Sequence, residues 1–208
     1  RDLRTRLCRV LGVSTALTDH LVRHPGDWRE LRGADAARTP DREELRRGLM
    51  HTVGACPDEP APTADLSLGQ GEEGEASAVL RHTLRVAYRR RVLRLAGRDL
   101  TGVNTVVAAE LADLAAAVLD AALAVARAES PEDAALCRLS VIGMGKCGGR
   151  ELNYVSDVDV VFVAEPATGA DGAPADDQEA QRAATRLATA MMRVPSETDA
   201  EGTLWEVD

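Results

Sequence analysis

The chain of 208 residues is long enough to bury a substantial core, as one large domain or two small ones. Its net charge of −9 and aromatic content of 2% argue against nucleic-acid binding, which requires a basic surface and stacking side chains. With no membrane-length apolar run, no signal-peptide pattern and four scattered cysteines, the sequence predicts a cytoplasmic protein with reduced thiols and no membrane contact.

Helical spacing of apolar residues characterises the first part of the chain. Residues 1–31 predict two short helices, the second of which begins near Ser14. A third short helix is expected to follow a cap at Asp41. Residues 56–74 are rich in Pro, Gly, Asp and Glu without apolar periodicity, which indicates a flexible linker. We therefore assign residues 1–74 to a helical N-terminal region.

Two histidines on the second predicted helix, His20 and His24, lie one helical turn apart. This spacing can bind zinc when further ligands complete the set. The neighbouring sequence suggests no cysteine or carboxylate partner for them. We therefore expect ordinary surface or packing histidines.

The clearest predicted helix covers residues 75–96, with an apolar stripe along one side and Gly97 at its end. A second long helix, beginning at 101–104, is expected to pack antiparallel against it. The opposite side of the first helix carries a basic stripe, for which we expect a solvated face paired with acidic groups. Contact with nucleotide phosphate or an acidic partner is the alternative. The stripe consists of Arg81, Arg85, Arg89, Arg90 and Arg94.

A glycine-rich turn lies between two predicted strands. Leu139, Val141 and Ile142 predict a short buried strand that leads into four glycines. A polar turn or short helix at 150–154 precedes a second strand at 158–163, which a pair of aspartates opens. The glycines are Gly143, Gly145, Gly148 and Gly149, and the aspartates are Asp157 and Asp159.

The spacing of Asp157 and Asp159 indicates a metal site. Side chains alternate along a strand, so both carboxylates point to the same face. Two neighbouring carboxylates repel each other unless a cation lies between them, and oxygen ligands suit Mg²⁺ or Mn²⁺ with a phosphorylated substrate. The preceding glycines offer close backbone approach and amide groups for phosphate oxygens. This order is typical of a metal-dependent nucleotidyltransferase.

The spacing Gly143-x-Gly145-x-x-Gly148 also matches a dinucleotide-binding fingerprint, with Glu165 near the expected ribose-binding acid. That fold needs a full crossover helix before the next strand. Only about ten residues separate Gly148 from Val158, which is too few for such a crossover. The dinucleotide reading is therefore disfavoured.

Two further alternatives concern the same turn. A Walker phosphate loop would place Ser or Thr after Lys146, where this chain has Cys147, and Gly at the position of Ser140. A plain turn followed by two solvated aspartates would explain the Asp-x-Asp pair taken alone. The combination of glycine turn, aspartates and flanking apolar strands favours the metal site.

In the last part of the chain, residues 166–177 predict a loop. Asp176 or its neighbour is expected to cap a helix that Pro195 ends. A turn at Glu201 then leads into a last strand, residues 203–208.

Residues 143–159 resemble the signature of bacterial bifunctional glutamine synthetase adenylyltransferase/adenylyl-removing enzymes, which belong to the DNA polymerase β-type nucleotidyltransferase superfamily. Residues 11–25 and 94–102 resemble the same family's N-terminal half. The resemblance implies an α+β fold, in which a helical N-terminal region precedes a mixed sheet flanked by helices. It also implies that residues 75–208 form a helical lead-in and a catalytic domain truncated at its C-terminal end, within a much longer parent protein.

The resemblance further implies which residues form the site. Asp208 occupies the position of the family's third metal-site acid, so Asp157, Asp159 and Asp208 are expected to hold two ions, Mg²⁺ or Mn²⁺. The expected nucleotide- and phosphate-binding residues are Gly143, Gly145, Lys146, Gly148, Gly149, Asn153 and Ser156.

The family performs two opposed reactions in two homologous halves. One half transfers AMP from ATP to a tyrosine of glutamine synthetase, and the other removes it with phosphate, releasing ADP. The sequence at residues 151–154 and 11–25 resembles the removing half, which implies adenylylated glutamine synthetase as substrate. The family also implies a PII-type nitrogen regulatory protein as partner. The adenylylating half is the first alternative, and a degenerate nucleotide-sensing module is the second.

Overall fold

The computed structural model of the protein describes residues 2–57, 73–102, 106–169, 172–205 and 207. They form an α+β fold, as expected, in which most residues are helical and a two-stranded sheet packs against helices. The helices are α1 (Asp2–Val13), α2 (Thr15–Arg23), α3 (Arg42–Thr52), α4 (Glu73–Asp99), α5 (Val107–Glu129), α6 (Pro131–Leu136), α7 (Gly145–Gly148) and α8 (Asp177–Ser196), and the strands are β1 (Cys137–Gly143) and β2 (Val160–Pro166).

Short-range sequence signals locate several helix starts correctly. Ser14, Asp41 and Asp176 each accept a hydrogen bond at their side chain from a backbone amide two or three residues along. These bonds satisfy amides that the first helical turn leaves without a partner. The predicted linker at 56–74 falls largely on residues 58–72, which lie outside the described part of the chain.

The α4 and α5 helices form the centre of the core. Leu84, Leu93 and Leu95 of α4 are fully buried, as are Leu114 and Val118 of α5. The α5 helix also packs against α3 and α8, so that one continuous apolar cluster extends from the N-terminal helices to the sheet. Among the described helices, none has the length and apolar character that a membrane span requires.

Gly97 does not end its helix, in contrast to the prediction, because α4 continues to Asp99. A Cβ atom at Gly97 would lie 2.6 Å from Cδ2 of Leu31, a residue of the 3₁₀ helix Pro25–Leu31. Leu31 is itself 1% exposed. The glycine therefore permits close packing between two segments of the core.

The sheet is an antiparallel pair in which Cys137 lies opposite Pro166 and Gly143 opposite Val160. One face of β1 is buried, but Ile142 on the other face is 48% exposed. The expectation of a buried strand therefore holds for one face of β1 and was wrong for the other. Val161 and Val163 extend the open face along β2.

The sheet of the described residues is antiparallel, and an isolated parallel bridge between Val158 and Val207 lies outside it. The second strand begins at Val160 rather than at Val158. Within the described part of the predicted strand 203–208, pairing is confined to Val207.

The basic stripe of α4 is not a solvated face. Arg85 is 3% exposed and donates to the carbonyl oxygens of Val194, at 2.8 Å, and Glu197, at 2.7 Å. Arg89 donates to the carbonyl oxygen of Thr203 at 2.8 Å. The expected solvation was wrong because the C-terminal segment folds back over this side of α4. Its arginines bind carbonyl groups that would otherwise lack partners. The expected pairing with acidic groups is confirmed at Arg81, Arg90 and Arg94.

Replacing Arg85 with Ala is expected to lower the free energy of unfolding by about 2–4 kcal/mol, because two carbonyl groups and Asp199 lose their donor. Arg47→Ala is the matched control, since Arg47 lies at the surface of α3. Among the described residues it makes only weak contacts to Glu43, an ion pair at 3.9 Å and a hydrogen bond to the carbonyl oxygen at 3.4 Å. It should change stability by no more than about 0.5 kcal/mol. Urea denaturation of the two variants measures the difference in the free energy of unfolding. Equal effects would contradict the stabilising role assigned to the hydrogen bonds of Arg85.

Candidate active site

The glycine turn begins where β1 ends. Gly145 has a φ of 47°, and the amide of Gly148 donates to the carbonyl oxygen of Met144 at 2.8 Å, which closes the single helical turn α7. A Cβ atom at Gly148 would lie 2.3 Å from the carbonyl oxygen of Gly143. Glycine is therefore required at this position by backbone-to-backbone contact. The helical turn lies here rather than at 150–154, where the sequence analysis placed it.

Asp159 lies directly against this turn. Its carbonyl oxygen accepts a hydrogen bond from the amide of Met144 at 2.8 Å, which joins the second aspartate to the start of the turn. A Cβ atom at Gly145 would lie only 2.3 Å from Oδ2 of Asp159. The missing side chain of Gly145 thus creates the space that the carboxylate occupies.

Asp157 and Asp159 flank a fully buried residue. Val158 is 0% exposed, whereas both aspartates are exposed. This alternation is that of an extended segment with one face on the core, which turns both carboxylates outward. Within the described part of the chain, neither carboxylate makes a hydrogen bond or an ion pair. Val207 bridges to Val158, and Asp208, the next residue, lies outside the described residues.

Three further predicted ligand-binding residues border the same region. Lys146 is exposed within α7, Asn153 is exposed after it, and Ser156 is half-buried just before the aspartates. Their side chains make no hydrogen bond or ion pair to other described residues. They are therefore available to a ligand.

The backbone amides of the turn divide into two groups. Those of Gly148 and Gly149 donate to carbonyl oxygens inside the turn. Those of Gly145, Lys146 and Cys147 begin α7 and, among the described residues, donate to no backbone carbonyl. The first part of the turn therefore retains donors suited to an anion.

A contact that the sequence analysis missed fixes the turn to the core. Arg150, with a φ of 58°, binds both carboxylate oxygens of Asp113 on α5, at 2.6 and 3.2 Å. The hydroxyl group of Tyr154 donates to Asp99 of α4 at 3.0 Å, and burial together with this carboxylate raises the pKa of Tyr154. Both partners are distant in sequence, and no local pattern signals them.

Cys147 is a buried filler of the turn. Its side chain is 7% exposed, and burial, followed by the charge of Asp159, raises the pKa of its thiol. A raised pKa lowers the fraction of reactive thiolate. The thiol therefore fills space beneath the glycines.

Two cavities lie near the sheet. One of about 240 Å³ borders the glycine turn and is lined by residues that include Gly148, Arg150 and Asp113. A larger cavity of about 610 Å³ lies between the sheet and α8, but none of the predicted site residues lines it. The polar groups converge at the glycine turn, so we place the candidate site there rather than at the larger cavity.

A glycine turn that leads into outward-facing aspartates, on an antiparallel pair backed by helices, is the arrangement of the nucleotidyltransferase-like α+β class. The family model for glutamate-ammonia ligase adenylyltransferase matches residues 4–208. The chain belongs to this family.

Individual relatives agree with the family match. The chain is 50% identical over 210 residues to the bifunctional glutamine synthetase adenylyltransferase/adenylyl-removing enzyme of Streptomyces avermitilis, and 52% identical over 211 residues to that of Streptomyces coelicolor. In both comparisons 100% of this chain is covered. The protein of the same name from Mycobacterium tuberculosis is 43% identical over 204 residues, 94% of this chain. The chain spans 17–18% of the length of these relatives.

Gly148→Ala tests the geometry of the turn. The added methyl group would meet the backbone of Gly143, which cannot rotate away, so we expect a loss of about 1–3 kcal/mol in the free energy of unfolding. Gly12→Ala in α1 is the control, because nothing lies within 4 Å of its Cβ position. That change should leave stability unaltered or raise it by up to about 1 kcal/mol. Thermal and urea unfolding distinguish the two, and a neutral Gly148→Ala variant would refute the close approach.

Proposed function

We propose that this chain carries the nucleotidyl-transfer site of a glutamine synthetase-modifying enzyme, and that its reaction is phosphate-dependent removal of AMP from adenylylated glutamine synthetase. The observation that carries the proposal is a pair of exposed carboxylates at Asp157 and Asp159, which pair with no described residue and one of which lies against the glycine turn at Gly145. The names of the relatives, which cite both adenylyl transfer and adenylyl removal, support it.

The donor set suits divalent cations of the magnesium class. Asp157 and Asp159 present carboxylate oxygens on the outward side of a segment whose buried side is fixed by Val158. We assign Asp208 as the third ligand, since Val207 bridges to Val158. Two ions of Mg²⁺ or Mn²⁺, when bound, would neutralise phosphate charge and polarise the reacting phosphorus.

The glycine turn would hold the phosphate groups. Its first amides, those of Gly145 to Cys147, lack backbone acceptors among the described residues, and the exposed ammonium group of Lys146 adds a positive charge. The absence of a side chain at Gly145 brings the Asp159 carboxylate against the turn, so that the proposed phosphate and metal sites adjoin. Asn153 and Ser156 supply side-chain donors for ribose or phosphate.

The proposed reaction exchanges one bond at the adenylyl phosphorus. An oxygen of inorganic phosphate forms a bond to this phosphorus, and the bond to the tyrosine oxygen breaks. The tyrosine oxygen takes up a proton, so the products are ADP and unmodified tyrosine. In this scheme Asp157 and Asp159 orient the reacting groups, and the glycine turn holds the entering phosphate.

The choice of the removing direction is supported by the resemblance of residues 11–25 and 151–154 to the removing half of the family. Adenylylated glutamine synthetase is accordingly the proposed protein substrate, with ATP or ADP and phosphate as small ligands. Control by a PII-type nitrogen regulatory protein and a cytoplasmic location are parts of the same proposal.

Asp159→Asn, introduced into the full-length protein, is expected to reduce ADP formation from adenylylated glutamine synthetase, Mg²⁺ and phosphate by at least about 100- to 1,000-fold, because one metal ligand loses its charge. Glu165→Gln is the control, since Glu165 lies on the neighbouring strand but is 63% exposed and paired only with Arg138. It should retain its activity.

The same variants separate the alternatives. Loss of ADP formation with retention of AMP transfer from ATP supports the removing assignment. Loss of AMP transfer alone would identify the adenylylating half instead. Full turnover with altered response to effectors would identify a nucleotide-sensing module.

Gly145→Ala tests the contact between the glycine turn and Asp159. The new methyl group would overlap Oδ2 of Asp159 and displace the carboxylate, so ADP formation should fall at least tenfold and the requirement for Mg²⁺ should rise. Gly33→Ala is the control. It places alanine at a similarly strained backbone position, since Gly33 has a φ of 87°, but nothing lies within 4 Å of its Cβ position. Both changes should cost about 1–2 kcal/mol of stability, and only the first should affect activity. Equal activities would show that the contact has no role.

A further inference from the structure

A second cluster of metal-binding groups lies away from the glycine turn. Nδ1 of His20 is 3.0 Å from Oε2 of Glu201, and Nε2 of His24 is 2.9 Å from Oε1 of the same carboxylate. One ligand atom from each of the three residues lies within 4.8 Å of the others. From the sequence we expected ordinary surface or packing histidines here. Folding has added Glu201, a partner 181 residues from His20.

The surroundings of the cluster match those of a metal site. Metal-binding histidines usually donate their second ring N–H to a carboxylate, and binding carboxylates are hydrogen-bonded in turn. Nε2 of His20 is 3.0 Å from Oδ2 of Asp27, and Arg90 holds Asp27 at 2.8 Å. Arg23 donates to Oε1 of Glu201 at 2.9 Å. His20 and Glu201 are thus each held in place by a second hydrogen-bonding group.

His20 is buried between two carboxylates. Its side chain is 0% exposed, and each ring nitrogen faces a carboxylate oxygen at 3.0 Å. A neutral imidazole carries one N–H group, so its other nitrogen would place a lone pair against an ionised carboxylate. A metal ion bound at Nδ1 would accept this lone pair, while Nε2 would donate its proton to Asp27. A single metal ion would bind His20, His24 and Glu201 together. Without it, each imidazole would need its own proton on the nitrogen that faces the Glu201 carboxylate.

We propose that His20, His24 and Glu201 bind a divalent ion of the zinc class. Two imidazoles and one carboxylate are a donor set that zinc accepts, and such three-residue sites take water as a fourth ligand. The side chain of His24 is 27% exposed, which gives the ion and the water access. The proposal is independent of the Mg²⁺-class ions assigned to Asp157 and Asp159, because it uses none of their ligands.

The ion would join two separated parts of the chain. His20 and His24 belong to α2, and Glu201 lies in the turn closed by the bond from the amide of Gly202 to the carbonyl oxygen of Asp199. Residues after this turn reach Val207, beside the candidate active site. The site is therefore a tether between the N-terminal helices and the segment that approaches the aspartates.

The test uses the full-length protein with Asp157→Asn and Asp159→Asn, so that the proposed Mg²⁺-class site does not contribute. After removal of metals with a chelator, Co²⁺ should bind with the visible absorption of a tetrahedral site, and Zn²⁺ should displace it. His24→Ala should weaken binding by more than about 100-fold, and Asp27→Asn by about 10- to 100-fold. His82→Ala is the matched control, since His82 pairs with Asp199 at 3.0 Å outside the cluster, and it should bind as the parent does.

Thermal unfolding provides the second readout. Zn²⁺ should raise the melting temperature of the parent and of His82→Ala but not that of His24→Ala, whose metal-free melting temperature serves as its folding control. Equal affinities in the parent and His24→Ala would overturn the proposal. So would NMR signals showing His20 protonated at both ring nitrogens in the presence of saturating Zn²⁺, because the cluster would then be an ion-pair network only.

Discussion

The contact between Gly145 and Asp159 is the constraint on which the candidate site depends. The Asp159 carboxylate occupies space that any side chain at position 145 would fill, and the backbone bond between Asp159 and Met144 fixes the distance. This approach requires that β1 and β2 pair with Gly143 opposite Val160. A shift of one residue in that pairing would turn the aspartates toward the core. The register of two strands thus determines whether the carboxylates face a ligand.

The helices support this register through charged contacts as well as apolar packing. Arg150 binds Asp113 on α5, which holds the end of the glycine turn to the central helix. Arg85 of α4 binds the backbone at the end of α8, which packs against the sheet. Buried arginines of this kind are stabilising only when carbonyl or carboxylate partners surround them. The basic stripe of α4 is therefore a structural connection between the two ends of the chain.

Glu201 shows how strongly these charges interact. Burial alone would raise the pKa of its carboxyl group, but hydrogen bonds from Arg23, His20 and His24 outweigh that effect and hold the pKa at about 2. The carboxylate is consequently ionised at neutral pH, with its side chain 1% exposed. Asp157 and Asp159 differ, because they are exposed and no described cation pairs with them. The fold thus contains one buried carboxylate surrounded by donors and one exposed pair without a partner among the described residues.

The sequence by itself determined the features that depend on neighbouring residues. The caps at Ser14, Asp41 and Asp176, the apolar stripe of α4 and the order of glycine turn and aspartates follow from spacing along the chain, because helix and strand periods are local. The family resemblance followed from the same local run of residues.

Tertiary structure alone decided the contacts between distant segments. Gly97 was predicted to end a helix, but its role is to admit Leu31, which belongs to another element. Asp27 lies close to His20 in sequence, yet only folding brings Glu201 to the same imidazole. Periodicity shows which side of a helix is apolar or charged. It does not show which segment will cover that side, because this depends on the packing of the whole chain.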